Sequence, residues 1–319
     1  MIRFFLGNQI YALFAMPLVV LAYLFLNLNS LYFEITDTVD LGFWGSLSIS
    51  NFAGSFLPWI SGVFVLINAY LLNFFFNTNG FYERNSYIIA FLYIVLLSYY
   101  RSFYFMDGLL ISHFFIIFAF IQLYKMEYNV DGKSRAFNAG FFFGVAATFH
   151  PPLVVILPFA WLMITRIRPF VFRETLLSTI GILVPLIYAF SANLIFKHKV
   201  NLNFIESTQQ YGTKDFIFLA SLGLFVLLVL TSWVGIRNKA LKSSIRFRKN
   251  TNILNLFLLF SICVGSLDYI FFKQYEWFCF MVIPIALFLP FSYLNVKIKF
   301  FPQLLFYLTL GFSVIKFFI

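Results

Sequence analysis

The chain has 319 residues, of which 62% are hydrophobic and 11% are charged, and its formal net charge is +10. Because roughly a quarter of the residues of a soluble domain are charged, this composition excludes an ordinary soluble protein. The charges fall almost entirely in short breaks between apolar runs. Backbone that crosses a bilayer must satisfy its own hydrogen bonds, so runs of this kind predict helices. We therefore expect an all-α, polytopic transmembrane helical bundle.

The apolar runs divide the chain into eleven predicted spans that are joined by short loops. In chain order they lie at about 10–29, 54–76, 87–100, 109–124, 137–149, 152–165, 175–196, 216–236, 252–270, 277–293 and 301–318. No loop is long enough for a soluble domain, so residues 1–319 are expected to form a single integral membrane domain.

The distribution of basic residues predicts which ends of the helices face the cytoplasm. With the N-terminus placed inside, sixteen of the 22 lysines and arginines fall on the cytoplasmic side, as the positive-inside rule requires. The run RNKALKSSIRFRK at 237–249 is then a topology anchor that faces anionic lipid, and no nucleic-acid partner is expected. Eight of the twelve acids lie on the opposite side: Glu34, Asp37, Asp40, Asp107, Glu206, Asp215, Asp268 and Glu276.

The stretch 137–165 is either one kinked helix or two short ones. Pro151 and Pro152 disfavour helical geometry at the residues before them, which predicts a break at His150. A single span here would place the basic run 237–249 outside, so the charge rule favours two helices and eleven spans, with ten as the alternative. Short helices are tolerated where they line a cavity, and these predict a recess at the outer face.

The first outer loop holds the candidate catalytic residues. Glu34, Asp37 and Asp40 recur at a spacing of three, which places them on one face of a helix. Such carboxylates accept a proton from a hydroxyl group or bind a divalent cation together with phosphates. Asp37 and Asp40 are the predicted catalytic pair and Glu34 is a secondary candidate; a loop of solvated acids is the alternative.

Ionisable residues near the second and third outer turns are the next candidates, because burying a charge in or near the membrane costs free energy unless the charge is paired. Arg101 is the clearest cation for a lipid phosphate, and an ion pair with Asp107 is its alternative. His150 is a candidate phosphate ligand or proton relay, and otherwise a polar helix terminus. His113 is interpreted as a hydrogen-bonded packing residue.

The loop KHKVNLNFIESTQQYGTKD at 197–215 is the most polar outer segment. Lys197 and Lys199 are predicted to bind a polyprenyl phosphate, with Glu206 and Tyr211 as secondary candidates near an acceptor; a solvated loop is the alternative. Asp268 closes the set, with Lys273 as its candidate partner.

The stretch from about Leu97 to Phe196 resembles glycosyltransferases of the GT-C superfamily. The cues are the acids of the first outer loop, the hairpin around FMDGLLISHFFIIFAFIQLYK, the basic turn DGKSRAF and the helix AGFFFGVAATFHPPLVVILPFAWLMI. Arg101 and its neighbours stand where the superfamily commonly has a Pro-Glu turn. The resemblance implies a GT-C-like module at about 1–196, with additional helices at about 216–319.

The turn RPFVFRE and the hairpin before it also resemble an uncharacterised family of Bacteroidota inner-membrane proteins, known only as a domain of unknown function. That resemblance covers most of the chain. It implies a multi-pass protein of the bacterial inner membrane, with its N-terminus in the cytoplasm.

The GT-C resemblance implies transfer of a sugar from a polyprenyl-phosphate donor to an acceptor on the outer face. An acid of the first outer loop would act as base or metal ligand, which makes a divalent metal the candidate cofactor. Membrane lipid is the expected partner. A non-catalytic subunit that scaffolds an envelope complex with protein partners is the first alternative. A transporter or flippase is favoured less, because the ionisable residues avoid mid-depth and the sequence has no convincing repeat.

Overall fold

The part of the chain that the structure describes is built from α-helices and one short β-hairpin. The computed structural model describes residues 5, 7, 10–30, 32–33, 38–48, 56–81, 85–126, 132–196, 213–272, 275–294 and 300–318. In chain order these ranges contain α1 Ile10–Ser30, β1 Thr38–Asp40, β2 Ser46–Ser48, α2 Leu57–Thr78, α3 Ile88–Leu97, α4 Gly108–Lys125, α5 Lys133–Phe149, α6 Ile156–Ile167, α7 Phe172–Phe196, α8 Thr213–Lys242, α9 Ile245–Phe272, α10 Val282–Leu294 and α11 Phe300–Ile315.

The predicted all-α class is confirmed, since eleven α-helices dominate the described ranges and each overlaps one of the predicted spans. Seven helical segments are long and apolar enough to cross a membrane, namely Tyr11–Ser30, Leu57–Thr78, Gly108–Lys125, Phe172–Ile195, Leu222–Leu241, Ile245–Phe271 and Glu276–Tyr293. The remaining apolar helices are shorter, so the number of spans stays a prediction.

The helix break at His150 is confirmed. α5 ends at Phe149, and His150 has an extended backbone with φ −137° and ψ 91°. A 3-10 turn, Pro151–Val155, follows and leads into α6. The break arises because each proline excludes α-helical geometry from the residue before it and provides no amide hydrogen. His150 is thereby held at a turn between two helices.

Two helices form the centre of the bundle. Every residue of α3 is at most 2% exposed, which is the expected position for a helix that is apolar on all sides. The described side chains of α10, from Val282 to Tyr293, are buried as well. The outer helices instead expose large apolar side chains, among them Phe14 at 66% and Tyr188 at 74%. Exposed apolar surface on this scale is typical of helices that face lipid.

Helices α5 and α7 touch through their backbones. A Cβ atom placed on Gly140 would lie 2.2 Å from the Ser178 carbonyl oxygen, and one on Gly144 would lie 2.4 Å from that of Ile182. On the facing helix, a Cβ on Gly181 would lie 2.4 Å from the Phe137 carbonyl oxygen. Small residues spaced by four allow membrane helices to approach this closely. The contact fixes α5, whose end carries His150.

Candidate functional site at the hairpin end

The β-hairpin lies against the end of α5. β1 and β2 are antiparallel, with Asp40 opposite Ser46, and a 3-10 turn, Gly42–Trp44, joins them. The indole Nε1 of Trp44 donates a hydrogen bond to Thr148 Oγ1 over 3.1 Å. Gly42 is required here, since its φ is +65° and a Cβ would lie 2.6 Å from the Phe149 carbonyl oxygen. We call this end of the bundle the hairpin end; it comprises residues 38–48, 98–108, 149–151, 268, 275–281 and 316.

Asp40 is the predicted catalytic residue that the structure describes. Its side chain is exposed, and its Oδ1 accepts a hydrogen bond from the Gly42 amide over 2.9 Å. Partial desolvation raises the pKa of the Asp40 carboxyl above its ordinary value, and the amide hydrogen bonds of Gly42 and Leu41 oppose that shift. A carboxylate held in this way can accept a proton from a hydroxyl group that approaches from solvent.

Asp107 immediately precedes α4, and the residue that follows it lies beside the Asp40 backbone. The Oδ1 of Asp107 accepts the Leu110 amide over 2.8 Å, which is an N-cap, and its Oδ2 accepts the Ser102 hydroxyl over 2.6 Å. A Cβ placed on the following residue, Gly108, would lie 3.4 Å from the Asp40 carbonyl oxygen and 2.2 Å from that of Phe149. The backbones of the loop before α2, the turn before α4 and the end of α5 therefore meet at one point.

Arg101 lies in the same turn as Asp107. It opens a 3-10 turn, Arg101–Phe103, and its guanidinium carbon lies 5.5 Å from the centre of the Phe105 ring. Its charge contributes to the electrostatic environment of Asp107. The predicted ion pair of Arg101 with Asp107 and the predicted role of Arg101 in phosphate binding both stay predictions.

Burial raises the pKa of the Asp107 carboxyl from 3.8 to about 6, and the hydrogen bonds from Ser102 and Leu110 only partly oppose this rise. Between these two values the unfolded chain has released the proton that the folded chain still holds. The stability of the fold therefore falls as the pH rises through that window, by about 3 kcal/mol at most.

We expect thermal unfolding in detergent to show this effect between pH 3.8 and about 6. The midpoint of the wild-type chain should decrease with rising pH more steeply than that of Asp107→Asn, which keeps an acceptor for the Leu110 amide. All other acids are common to both proteins, so the difference isolates Asp107. Parallel pH curves for the two proteins would show that Asp107 titrates normally.

His150 lies between α5 and the 3-10 turn Pro151–Val155 and is 7% exposed. Its ring meets the Trp277 ring edge-on at 5.0 Å and the Phe280 ring at 5.6 Å. Burial, with a smaller contribution from His113, lowers the pKa of the His150 imidazole to about 3. The imidazole is then neutral at pH 7, where it can donate or accept a hydrogen bond but carries no charge towards a phosphate. Its predicted role as a phosphate ligand stays a prediction.

Asp268 reaches the same place from α9. It is fully buried, and its Oδ2 accepts the backbone amide of Trp277 over 3.1 Å. Its electrostatic neighbour Glu276 also influences Asp107, so the three acids form one group around the turn that precedes α10. This proximity follows because α4 and α9 both pack against the 3-10 turn Glu276–Met281.

Of the predicted site residues, the structure brings together Asp40, Arg101, Asp107, His150 and Asp268 at the hairpin end. Seven others lie outside the described residues: Glu34, Asp37, Lys197, Lys199, Glu206, Tyr211 and Lys273. Their roles stay predictions. Within the described ranges, no three His, Cys, Asp or Glu side chains are arranged to hold a metal ion. The predicted metal ligands Glu34 and Asp37 are not among the residues to which this finding applies.

The sequence did not identify several residues that complete this end of the bundle. Ser102 and Trp277 bond to Asp107 and Asp268, and no motif marked either of them. Lys316 could have been recognised in the sequence, because it is a lysine near the end of an apolar segment. Its side chain is buried at the hairpin end, against Ser98 and Tyr104.

Comparison with known proteins gives a family and no activity. The model of a family of unknown function, DUF6427, matches residues 24–318. No curated protein and no solved structure matches the chain. The predicted resemblance to an uncharacterised family is confirmed to this extent, whereas the GT-C resemblance and the Bacteroidota source stay predictions.

Proposed function

We propose a function for this chain, which belongs to DUF6427, a family of unknown function: it transfers a sugar from a polyprenyl-phosphate donor to an acceptor. In this proposal the chain is a GT-C-like enzyme of the bacterial inner membrane. Its N-terminus lies in the cytoplasm, and the hairpin end lies at the outer face. A lipid, a glycan or a secreted protein would serve as the acceptor.

The observation that carries the proposal is the convergence of Asp40, Arg101, Asp107 and His150 at one end of an apolar bundle. They come from three separate segments, and short turns and backbone contacts hold them together. Ionisable groups in such surroundings are costly, so their concentration at one end supports a site for chemistry. The exposed Asp40 carboxylate is the member that a substrate from solvent can reach.

The proposed step assigns roles to Asp40 and Arg101. The Asp40 carboxylate accepts the proton of the acceptor hydroxyl, and the hydroxyl oxygen forms a bond to the anomeric carbon of the donor sugar. The bond between that carbon and the phosphate oxygen breaks, and polyprenyl phosphate leaves with the electron pair. The guanidinium of Arg101 pairs with the phosphate and stabilises its charge. Asp37, Lys197 and Lys199 retain their predicted roles as second acid and phosphate ligands.

The test is a transfer assay with the purified chain in lipid nanodiscs. Donors are a panel of undecaprenyl-phosphate sugars with a radiolabelled sugar, and the acceptor is a membrane fraction from cells that lack this chain. We expect Asp40→Asn to lower the transfer rate by a factor of about 100 or more, since general base catalysis contributes 10²–10⁴. Arg101→Gln should weaken the donor interaction, and Asp37→Asn tests the second acid.

Ser46→Ala is the matched control, because Ser46 is exposed and lies directly opposite Asp40 in the hairpin. It should transfer sugar at the wild-type rate. Undiminished transfer by the Asp37 and Asp40 variants, alone and together, would remove the catalytic assignment. A stoichiometric protein partner in native mass spectrometry, with no retained polyprenyl lipid, would favour the scaffolding subunit instead.

A further inference from the structure

Three buried polar atoms surround the 3-10 turn Glu276–Met281 without a hydrogen-bond partner among the described residues. They are His113 Nε2, His150 Nε2 and Asp268 Oδ1. The side chains are 0%, 7% and 0% exposed. An unpaired buried polar group costs about 1–3 kcal/mol, and folded proteins leave few of them. Three around one turn of the chain therefore indicate a place where a polar ligand completes the hydrogen bonding.

Contacts within the protein hold each of these side chains in place. The Nδ1 atom of His113 lies 2.9 Å from the Tyr93 hydroxyl, so the outward nitrogen of that ring is Nε2. The rings of His113 and His150 lie against the same Phe280 ring, at 5.3 and 5.6 Å. The three free atoms are therefore held by rigid helices and aromatic packing, as a binding site requires.

Trp277 connects the histidines to the acid. Its backbone amide donates to Asp268 Oδ2 over 3.1 Å, while its indole ring meets the His150 ring at 5.0 Å. Like His150, it keeps 7% of its surface exposed, and Glu276 and Asp107 beside it are only partly buried. The group thus lies just beneath the surface of the hairpin end, next to the proposed catalytic residues.

The chemistry of these groups selects the ligand class. His150 is neutral at pH 7, because burial lowers the pKa of its imidazole to about 3, and it therefore attracts no anion. The acid Asp268 has a second acid, Glu276, as its electrostatic neighbour, which disfavours a phosphate or carboxylate here. Imidazole nitrogens and a carboxyl oxygen pair well with hydroxyl groups. Aromatic rings beside them match the apolar face of a sugar ring.

We infer that His113, His150, Asp268 and Trp277 form a subsite for a neutral polyhydroxyl ring, which is the sugar of the donor. The hydroxyl groups of the ring pair with the three free atoms, and the ring lies against Trp277. That the bound ring is the sugar of the donor rests on the proposed function. That the subsite binds a sugar ring does not depend on it. Since protein atoms enclose the three free atoms, entry requires local opening at the hairpin end, and binding is slow.

The test compares two non-ionic amphiphiles with the chain in lipid nanodiscs. The probes are octyl β-D-glucoside and, as a control without a sugar, octyl tetraethylene glycol, each below its micelle concentration. Equilibrium dialysis against each radiolabelled amphiphile, corrected for uptake by empty nanodiscs, reports binding after long equilibration, and the Trp277→Phe variant tests the ring contact. We expect the glucoside to bind about tenfold more tightly than the control amphiphile, from one to two net hydrogen bonds.

His113→Phe, His150→Phe and Asp268→Asn should each remove most of this preference, with Ser266→Ala on the same helix as Asp268 as the unaffected control. Thermal unfolding identifies variants that fail to fold. The binding of the two amphiphiles to the folded variants then tests the subsite. Equal binding of both amphiphiles to the wild-type chain would overturn the subsite. So would a glucoside preference that survives in every folded variant, or tighter binding of octyltrimethylammonium, which would indicate a cation site.

The outcomes separate this subsite from the proposed function. A glucoside preference that depends on the histidines, together with undiminished transfer by the Asp37 and Asp40 variants, retains the subsite and rejects the catalytic assignment. Transfer that is lost in Asp40→Asn, without any glucoside preference, retains the proposed function and rejects the subsite.

Discussion

Replacing Gly144 by alanine is expected to destabilise the bundle by about 2–3 kcal/mol, although alanine is the better helix former. The added Cβ would lie 2.4 Å from the Ile182 carbonyl oxygen, so α5 and α7 must separate. Gly140→Ala should act in the same way, because its Cβ would lie 2.2 Å from the Ser178 carbonyl oxygen. Overpacking a close contact typically costs about 1–3 kcal/mol, and here the obstacle is backbone, which cannot rotate away.

Gly223→Ala and Gly311→Ala are the matched controls, since nothing lies within 4 Å of a Cβ placed at either position. At these sites alanine should stabilise the helix by up to about 1 kcal/mol. The prediction is therefore a difference in sign between two pairs of identical substitutions. Thermal unfolding in detergent measures it, and equal shifts for Gly144→Ala and Gly223→Ala would show that α5 and α7 do not touch through their backbones.

Gly144→Ala should also displace the residues of the candidate site more than the control substitutions do. α5 ends at Phe149, whose carbonyl oxygen lies against Gly42 and Gly108. A shift of α5 away from α7 changes the position of His150 relative to Asp40 and Asp107. A transfer assay of folded Gly144→Ala protein should therefore show a lower rate than Gly223→Ala.

The positions of the helices could be predicted from sequence because a bilayer imposes a simple local rule. Long apolar runs must be helical, and the predicted span 109–124 corresponds to α4 at Gly108–Lys125. The break at His150 followed from two adjacent prolines, which act on the residue before them. Both features depend only on neighbouring residues.

The candidate site could be predicted only in part, for a related reason. Short connections carry Arg101, Asp107 and His150 to turns between helices, which the sequence reveals. The meeting of His113 and His150 on the Phe280 ring depends on how α4, α5 and the segment before α10 pack, and no local pattern encodes it. The interpretation of His113 as a hydrogen-bonded packing residue agrees with its hydrogen bond to Tyr93. The sequence does not predict that its Nε2 atom is buried without a hydrogen-bond partner among the described residues.

Lys316→Glu is expected to destabilise the fold by about 3–5 kcal/mol, the range for a buried charge that loses its compensation. Lys316 is 1% exposed, and its ammonium donates to the Ser98 carbonyl oxygen and lies 3.3 Å from the Tyr104 hydroxyl. Five aromatic rings surround the ammonium at 4.7–5.7 Å, those of Tyr32, Phe33, Tyr99, Tyr104 and Phe317. Ring faces and a carbonyl oxygen attract a cation, and they repel a carboxylate.

Lys316→Met separates the charge from the volume of this side chain. Methionine fills a similar space, and the Ser98 carbonyl oxygen keeps a partner, because the Tyr104 hydroxyl donates to it over 2.9 Å. We therefore expect Lys316→Met to change stability by less than about 1.5 kcal/mol. Thermal unfolding in detergent, with limited proteolysis to detect release of α11, distinguishes the two variants. An equal loss of stability in both variants would contradict this expectation. It would mean that the ammonium group, and not the volume of the side chain, holds α11 to the turn that carries Arg101.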